Sequence, residues 1–214
     1  LTTLTSHVKN QPYSKLFAAF FSGLLVATAG LYTGQYVPPA LFLPLVVVEI
    51  IMLIAMVFAR KRKAIGYLFM YAFMAISGLT LYPAISTYIS ILGATVVLQA
   101  FAVTTAAFGG IAVFAMVSKR DFTFLGNFLF ISVIALIALG IMNIFLPFSS
   151  TTSLVISGFG ILVFVGYTLY DFSRLTVYGF SDQDIPGIVV SVYLDFVNLF
   201  LYILQFMGIL SRND

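Results

Sequence analysis

The sequence contains no cysteine and only one histidine. Without cysteine there are no disulfides, thiol nucleophiles, thiolate zinc sites or iron–sulfur clusters. The single histidine, His7, lies in the polar N-terminal tail, which excludes histidine-ligated haem, copper or zinc inside the apolar segments. We read His7 as a solvated tail residue, with near-neutral titration as the alternative role. Charge is scarce as well: 8% of the 214 residues, against about 25% in soluble domains. So few charges cannot cover a soluble surface, and large exposed apolar patches associate. An ordinary cytosolic enzyme is thereby ruled out. Disorder is ruled out too, because it requires low hydrophobicity and high net charge. No glycine-rich phosphate loop follows a strand-like run. Gly109-Gly110 lies within an apolar stretch and reads as a helix-packing element.

What is present is apolar: 62% hydrophobic residues and a mean hydropathy of +1.13. The chain reads as an integral membrane protein whose solvent is mostly lipid. A membrane helix needs about 20 mostly apolar residues. Seven spans are expected, approximately 16–34, 38–59, 64–82, 86–117, 122–146, 152–177 and 186–210. They form a single membrane domain, 1–214, with an N-tail over 1–15. Pro38-Pro39, Arg60-Lys61-Arg62-Lys63, Tyr82-Pro83, Ser118-Lys119-Arg120-Asp121 and Pro147-Phe148-Ser149-Ser150 mark the connections. Tyr82-Pro83 is expected to close the third span, since the residue before proline leaves the helical region. The fourth run is long enough to tilt or to include an irregular turn. Pro186 suits the first turn of the last helix. The first span, preceded by Lys9 and Lys15 and containing Ala27-Thr28-Ala29, has features of a signal peptide; we read it as a true span.

Nine of the ten basic residues fall on one side of this arrangement: Lys9, Lys15, Arg60 to Lys63, Lys119, Arg120 and Arg174, with Arg212 the exception. The positive-inside rule places the N-terminus in the cytoplasm and the C-terminus outside. It also explains the net charge of +3 without nucleic acid. Gly23, Ala27, Gly30 and Gly34 form a small-residue stripe on the first helix, which lets backbones approach. Thr104-Thr105-Ala106-Ala107 with Gly109-Gly110 forms a similar cluster on the fourth. Both read as packing surfaces rather than pore linings.

Of the seven acidic residues, Glu49, Asp171 and Asp195 fall within spans. An ionised carboxylate at the bilayer centre costs about 2.5–3.5 kcal/mol on insertion scales, so such residues face a protein interior or a water-filled path. Helices six and seven are consecutive and antiparallel. At 1.5 Å per residue, Asp171 and Asp195 lie roughly 9 and 13 Å from the same membrane surface. Carboxyl groups that close cannot both ionise easily, so they share a proton and titrate as a unit. Ser191, Asp195, Asn198, Tyr202 and Gln205 run along one side of helix seven, and Tyr167, Asp171 and Arg174 along one side of helix six. A polar path between the two helices is expected, with a dry hydrogen-bonded seam as the alternative. Glu49, Met52, Met56 and Arg60 share a face of helix two. Arg60 is a candidate latch on Asp171, because protonating the acid weakens an arginine–carboxylate pair; alternatively it belongs only to the topogenic basic run.

Leu169-Tyr170-Asp171, together with Ser191-Val192-Tyr193-Leu194-Asp195-Phe196-Val197-Asn198-Leu199-Phe200, resembles the transmembrane Bax inhibitor motif family. Gly78-Leu79-Thr80-Leu81 with Pro83, and Thr105-Ala106-Ala107 followed by Lys119-Arg120-Asp121-Phe122-Thr123-Phe124-Leu125-Gly126, extend the likeness over nearly the whole chain. The length suits the bacterial, YetJ-like branch. The pair after the helix-six aspartate departs from the Thr-Gln-like pattern of many members, being Phe172-Ser173 here. The resemblance implies an all-α seven-helix bundle with helix seven central, in a bacterial plasma membrane, acting as a pH-sensitive calcium leak. It maps the paired aspartates onto Asp171 and Asp195, which also become candidate Ca2+ ligands, and the latch onto Arg60. Glu49, Asn198 and Tyr202 are candidate pore or ion-binding residues. Ca2+, a hard cation suited to oxygen ligands, is the expected permeant ion and the proton the regulator. No tightly bound cofactor is expected. The lipid bilayer is the expected partner, and the chain is read as a monomer.

Two other functions compete. A proton-coupled cation transporter or exchanger would use membrane carboxylates as relays. An intramembrane aspartyl protease would also pair two aspartates, but its Gly-x-Gly-Asp element is replaced here by Val192-Tyr193-Leu194-Asp195, and no Pro-Ala-Leu follows. We therefore expect no enzymatic activity. A retinal receptor is excluded, because no lysine lies inside a span for a Schiff base.

Overall fold

The computed structural model describes residues 12–60, 66–118 and 120–211, except the side chains of Val57, Ala59 and Arg60. His7, Lys9, Lys61, Arg62, Lys63, Lys119 and Arg212 lie outside the described residues, and so does the side chain of Arg60. Seven long helices follow one another: α1 Tyr13–Thr33, α2 Pro39–Arg60, α3 Tyr67–Leu92, α4 Ala94–Ser118, α5 Gly126–Phe145, α6 Ser150–Tyr178 and α7 Ile185–Leu210. Each is long and apolar enough to cross a membrane, and no strand occurs among the described residues. The fold is the expected all-α, seven-span membrane type. α7 is the most buried span, at 61% against 33% or less for each of the others.

The helix ends have local causes. Pro39 opens α2 and Pro186 lies in the first turn of α7, where the missing N–H costs no helical bond. Before α7, the Ser181 hydroxyl accepts from the Asp184 backbone N–H while the Asp184 carboxylate accepts from the Ser181 backbone N–H at 3.0 Å, a capping box. Before α5, Asp121 accepts from the backbone N–H of Thr123 at 2.8 Å and from its hydroxyl.

The expected break at Tyr82-Pro83 does not occur. α3 continues through Pro83 to Leu92, and the expected spans 64–82 and 86–117 become 67–92 and 94–118. Proline is tolerated within membrane helices, where neighbouring groups and local adjustments satisfy the freed backbone. The break falls instead at Gly93, with φ +84°. That left-handed conformation suits glycine at a helix end, and the Gly93 N–H bonds to the Ile89 carbonyl at 2.9 Å.

The chain divides into two compact units. The first comprises Leu1–Pro83 and Gly179–Tyr193, and the second Ala84–Tyr178 and Leu194–Asp214. α3 and α7 each contribute one part to either unit. In the first, the small-residue stripe of α1 lies on α3, as expected. A Cβ added at Gly30 would stand 2.4 Å from the Ala75 carbonyl oxygen, and one at Gly78 would stand 2.1 Å from that of Ala27. Backbone meets backbone here. Phe73 of α3 packs edge-on against Tyr193 of α7, with ring centroids 6.3 Å apart. An ion pair joins Lys15 to Asp182, and Tyr13 packs on Phe180. α2 is the least buried span, at 6%. Val47, Ile50, Ile51, Ile54 and Phe58 are exposed. Phe42 stacks with Tyr82 of α3, and Thr80 is hydrogen-bonded to Glu49 at 2.6 Å.

In the second unit, α4 and α5 both pack on α6. α4 buries Val97, Ala100, Thr104, Phe108, Ala112 and Ala115, a spacing of three and four that defines one helical face. Gly109 and Gly110 lie off that face. Both are exposed, and an added Cβ would meet nothing within 4 Å. The packing expected of this pair is therefore absent among the described residues. A face that would be conspicuous in water is unremarkable in lipid, which is as apolar as a helix surface.

Candidate functional site

The two membrane aspartates belong to the same unit. Asp171 is half-buried on α6, and Asp195 is buried on α7, with 5% of its surface exposed. The residues that follow them fix their register. Phe172 and Phe196 both pack edge-on against one ring, Phe108 of α4, with centroids 5.9 and 5.4 Å apart. Edge-to-face pairs of this kind contribute about 0.5–1.5 kcal/mol each beyond their burial. Tyr167 lies one turn before Asp171 on α6 and is half-buried.

The remaining stripe residues separate into different roles. Tyr202 stacks on Phe164 of α6 at 5.8 Å, and its ring fills the space over Gly160, where an added Cβ would come within 2.4 Å. It is a packing residue of the α6–α7 contact. The Asn198 amide donates to the Leu194 carbonyl of its own helix at 2.8 Å. Arg174, expected to continue the α6 stripe, is exposed. Ser191 and Gln205 are half-buried. Glu49 lies in the first unit, where Thr80 contacts it. Arg60 ends α2.

Sequence reasoning missed what Phe172-Ser173 does. Phe172 reaches Phe108, as above. Ser173 is fully buried. Its hydroxyl donates to the Arg120 carbonyl and accepts from the Phe122 N–H, each at 2.9 Å. It fastens the α4–α5 connection to the helix that carries Asp171. A small hydroxyl residue next to an aromatic, facing a polar connection, was the available signal. Tyr170 also contributes to positioning, with its ring edge 3.0 Å from where a Cβ on Gly126 would stand.

Chemically, the site offers carboxylate oxygens and a phenol in a buried setting. Among the described residues, no three His, Cys, Asp or Glu side chains gather into one group able to hold a metal ion.

The family model described as inhibitor of apoptosis-promoting Bax1 matches residues 9–212. An uncharacterized protein of Campylobacter jejuni is 36% identical over 199 residues, covering 89% of this chain and 85% of the relative. Bax inhibitor 1 of Schizosaccharomyces pombe is 33% identical over 167 residues, covering 78% and 61%. The Golgi anti-apoptotic protein of vaccinia virus is 33% identical over 175 residues, covering 82% and 71%. With a family match over residues 9–212 and seven helices long and apolar enough to span a membrane, the chain belongs to the Bax inhibitor family of membrane proteins.

Proposed function

We propose that the protein is a pH-sensitive calcium leak of the plasma membrane, with Asp171 and Asp195 as its proton-sharing gate. The observation that supports this reading is the burial of Asp195, 5% exposed on α7, in the same unit as Asp171 on α6. At higher pH the pair holds one negative charge, and a charged Asp171 retains Arg60 and with it α2. Acidification adds the second proton and releases Arg60, shifting the population toward an open path. Calcium prefers the deprotonated oxygens, so protons and calcium compete at the pair. The N-terminus is cytoplasmic and the C-terminus outside, from the distribution of basic residues. The anti-apoptotic names belong to the relatives that carry them; for this chain, the membrane carboxylates favour an ion path.

Calcium flux from liposomes, measured across pH, tests the proposal. The wild type is expected to dissipate a calcium gradient passively and with pH dependence, and Asp171→Asn is expected to lose that dependence. Unchanged pH dependence in this variant would refute the gate. Arg60→Ala should leak more at high pH than the wild type; equal closure would refute the latch. Proton-driven accumulation of calcium would replace the leak with the exchanger reading.

A further inference from the structure

We infer that the α4–α5 hairpin is the seat of the aspartate pair, with Ser173 and Phe108 as its positioning residues. Residues 170–173 make one turn of α6, and Asp171 is the second of them. The other three each touch the hairpin. The Tyr170 ring lies over Gly126, the first residue of α5, 3.0 Å from where a Cβ would stand. The Phe172 ring meets Phe108 of α4. The Ser173 hydroxyl holds the connection between α4 and α5, donating to the Arg120 carbonyl and accepting from the Phe122 N–H. One turn of α6 is thus gripped by α4, by α5 and by the chain between them.

The grip fixes Asp171 both along α6 and around it. Each helical residue adds about 1.5 Å of rise and about 100° of rotation. A slip of α6 by one residue therefore carries the Ser173 hydroxyl away from both partners, which stand 2.9 Å from it. Ser173 is fully buried, and backbone groups left unmade in such a place are costly. Phe108 extends the hold to the second acid. Its ring is buried and also packs edge-on against Phe196, the residue after Asp195. One ring of α4 therefore spaces α6 from α7 at the level of the acids. A packed ring is a firm spacer, because protein interiors have low compressibility. The interaction of two acids depends on their separation, so a pair that titrates as a unit needs a frame of this kind.

Neither α4 nor α5 contains a titratable residue. On α6, α7 and the connection, the other described titratable or charged groups of this unit are Arg120, Asp121, Tyr167, Tyr170, Arg174, Tyr178 and Tyr202. Arg60 of α2 bears on the pair through the proposed latch. A change at Ser173 or Phe108 alters none of these groups, so its effect on pH dependence comes through position. The functional role of the seat rests on the gate proposed above, whereas the grip itself does not.

The chain has no cysteine, which allows two spin labels to be placed at chosen sites. Phe124→Cys and Tyr178→Cys put them at exposed positions of the connection and of α6. Pulsed electron paramagnetic resonance in lipid nanodiscs then reads the distance between the two elements. A single narrow distribution is expected. Ser173→Ala should broaden it or displace it by about 1.5 Å, the rise of one residue. Ser173→Thr keeps the hydroxyl and should restore it. Calcium flux from liposomes across pH is the second readout. In Ser173→Ala the profile should shift by about half a pH unit, roughly a threefold change in proton concentration, and Ser173→Thr should return it. Gly78→Ala, which strains a backbone contact of the first unit, should lower the melting temperature without moving the profile. An unchanged distance distribution in Ser173→Ala would overturn the seat. An altered distribution with an unmoved profile would overturn the positioning role. A wild type without pH-dependent flux would refute the gate instead, and the distance comparison would still decide the seat. If Ser173→Ala does not fold, Phe108→Leu and Phe101→Leu supply the comparison. Phe101 packs on Phe196 and Phe200 of α7, and among the described residues it stacks on no ring of α6. Only the Phe108 variant should then move the profile, and equal effects would overturn the proposal.

Discussion

Replacing Gly78 by alanine adds one methyl group at the closest approach of α1 and α3. That methyl would stand 2.1 Å from the Ala27 carbonyl oxygen, 2.9 Å from its carbonyl carbon and 3.0 Å from its Cα. All three are backbone atoms, so no side chain can turn away. Ordinary contact begins about 1 Å further out, and the two helices must separate by that amount along several residues. Overpacking of this sort costs about 1–3 kcal/mol. For a chain of this size, each kcal/mol lowers the melting temperature by roughly 2–4 °C. Gly78→Ala should therefore melt about 2–12 °C below the wild type. The control is the same change at Gly109, where an added Cβ meets nothing within 4 Å. There alanine should be neutral, or stabilising by up to about 1 kcal/mol through helix propensity. Thermal unfolding followed by far-ultraviolet circular dichroism in one detergent compares the two. A Gly78→Ala protein as stable as the wild type, or a Gly109→Ala protein equally weakened, would refute the helix-contact argument.

Ser173→Ala strips the Phe122 N–H and the Arg120 carbonyl of their shared partner. The expected loss is about 1–3 kcal/mol, read as a lower melting temperature, and an unchanged melt would count against the fastening role of Ser173. Asp121 is exposed, and the hydroxyl and backbone N–H of Thr123 hold its carboxyl below the usual carboxylate range. A depressed folded-state value means that its contribution is present above the ordinary carboxylate range and is lost as pH falls through the lowered value. The melting difference between the wild type and Asp121→Ala should accordingly narrow on acidification. A difference constant across the acid range would exclude that origin.

Much of this fold was legible because lipid imposes length and loops impose charge. Seven apolar runs had to be helices, and the glycine stripe of α1 had to meet another backbone. The sequence did not distinguish that stripe from the Gly109-Gly110 cluster, for a physical reason. In water an exposed apolar face is penalised, so burial leaves a pattern; in lipid both faces of α4 are apolar and the pattern fades. The same blindness hid the passage of α3 through Pro83, because no polar residue marks the true end at Gly93. Asp171 and Asp195 stood out because charge within a span is rare. Their neighbours were harder to read. Tyr202 looked like part of a polar path, yet its ring packs over Gly160. Ser173 looked like an isolated departure, yet it ties down a connection.

The shallow burial of α2 has an energetic meaning. A helix that moves from protein contact into a bilayer exchanges one apolar surrounding for another, and no hydrophobic debt opposes the exchange. What then fixes the station of α2 is a small number of directed contacts, the stacking of Phe42 on Tyr82 and the bond between Glu49 and Thr80 among them. A change of one proton is small on the scale of a folded core. On the scale of single contacts such as these it is large, and a helix held by them can answer to it.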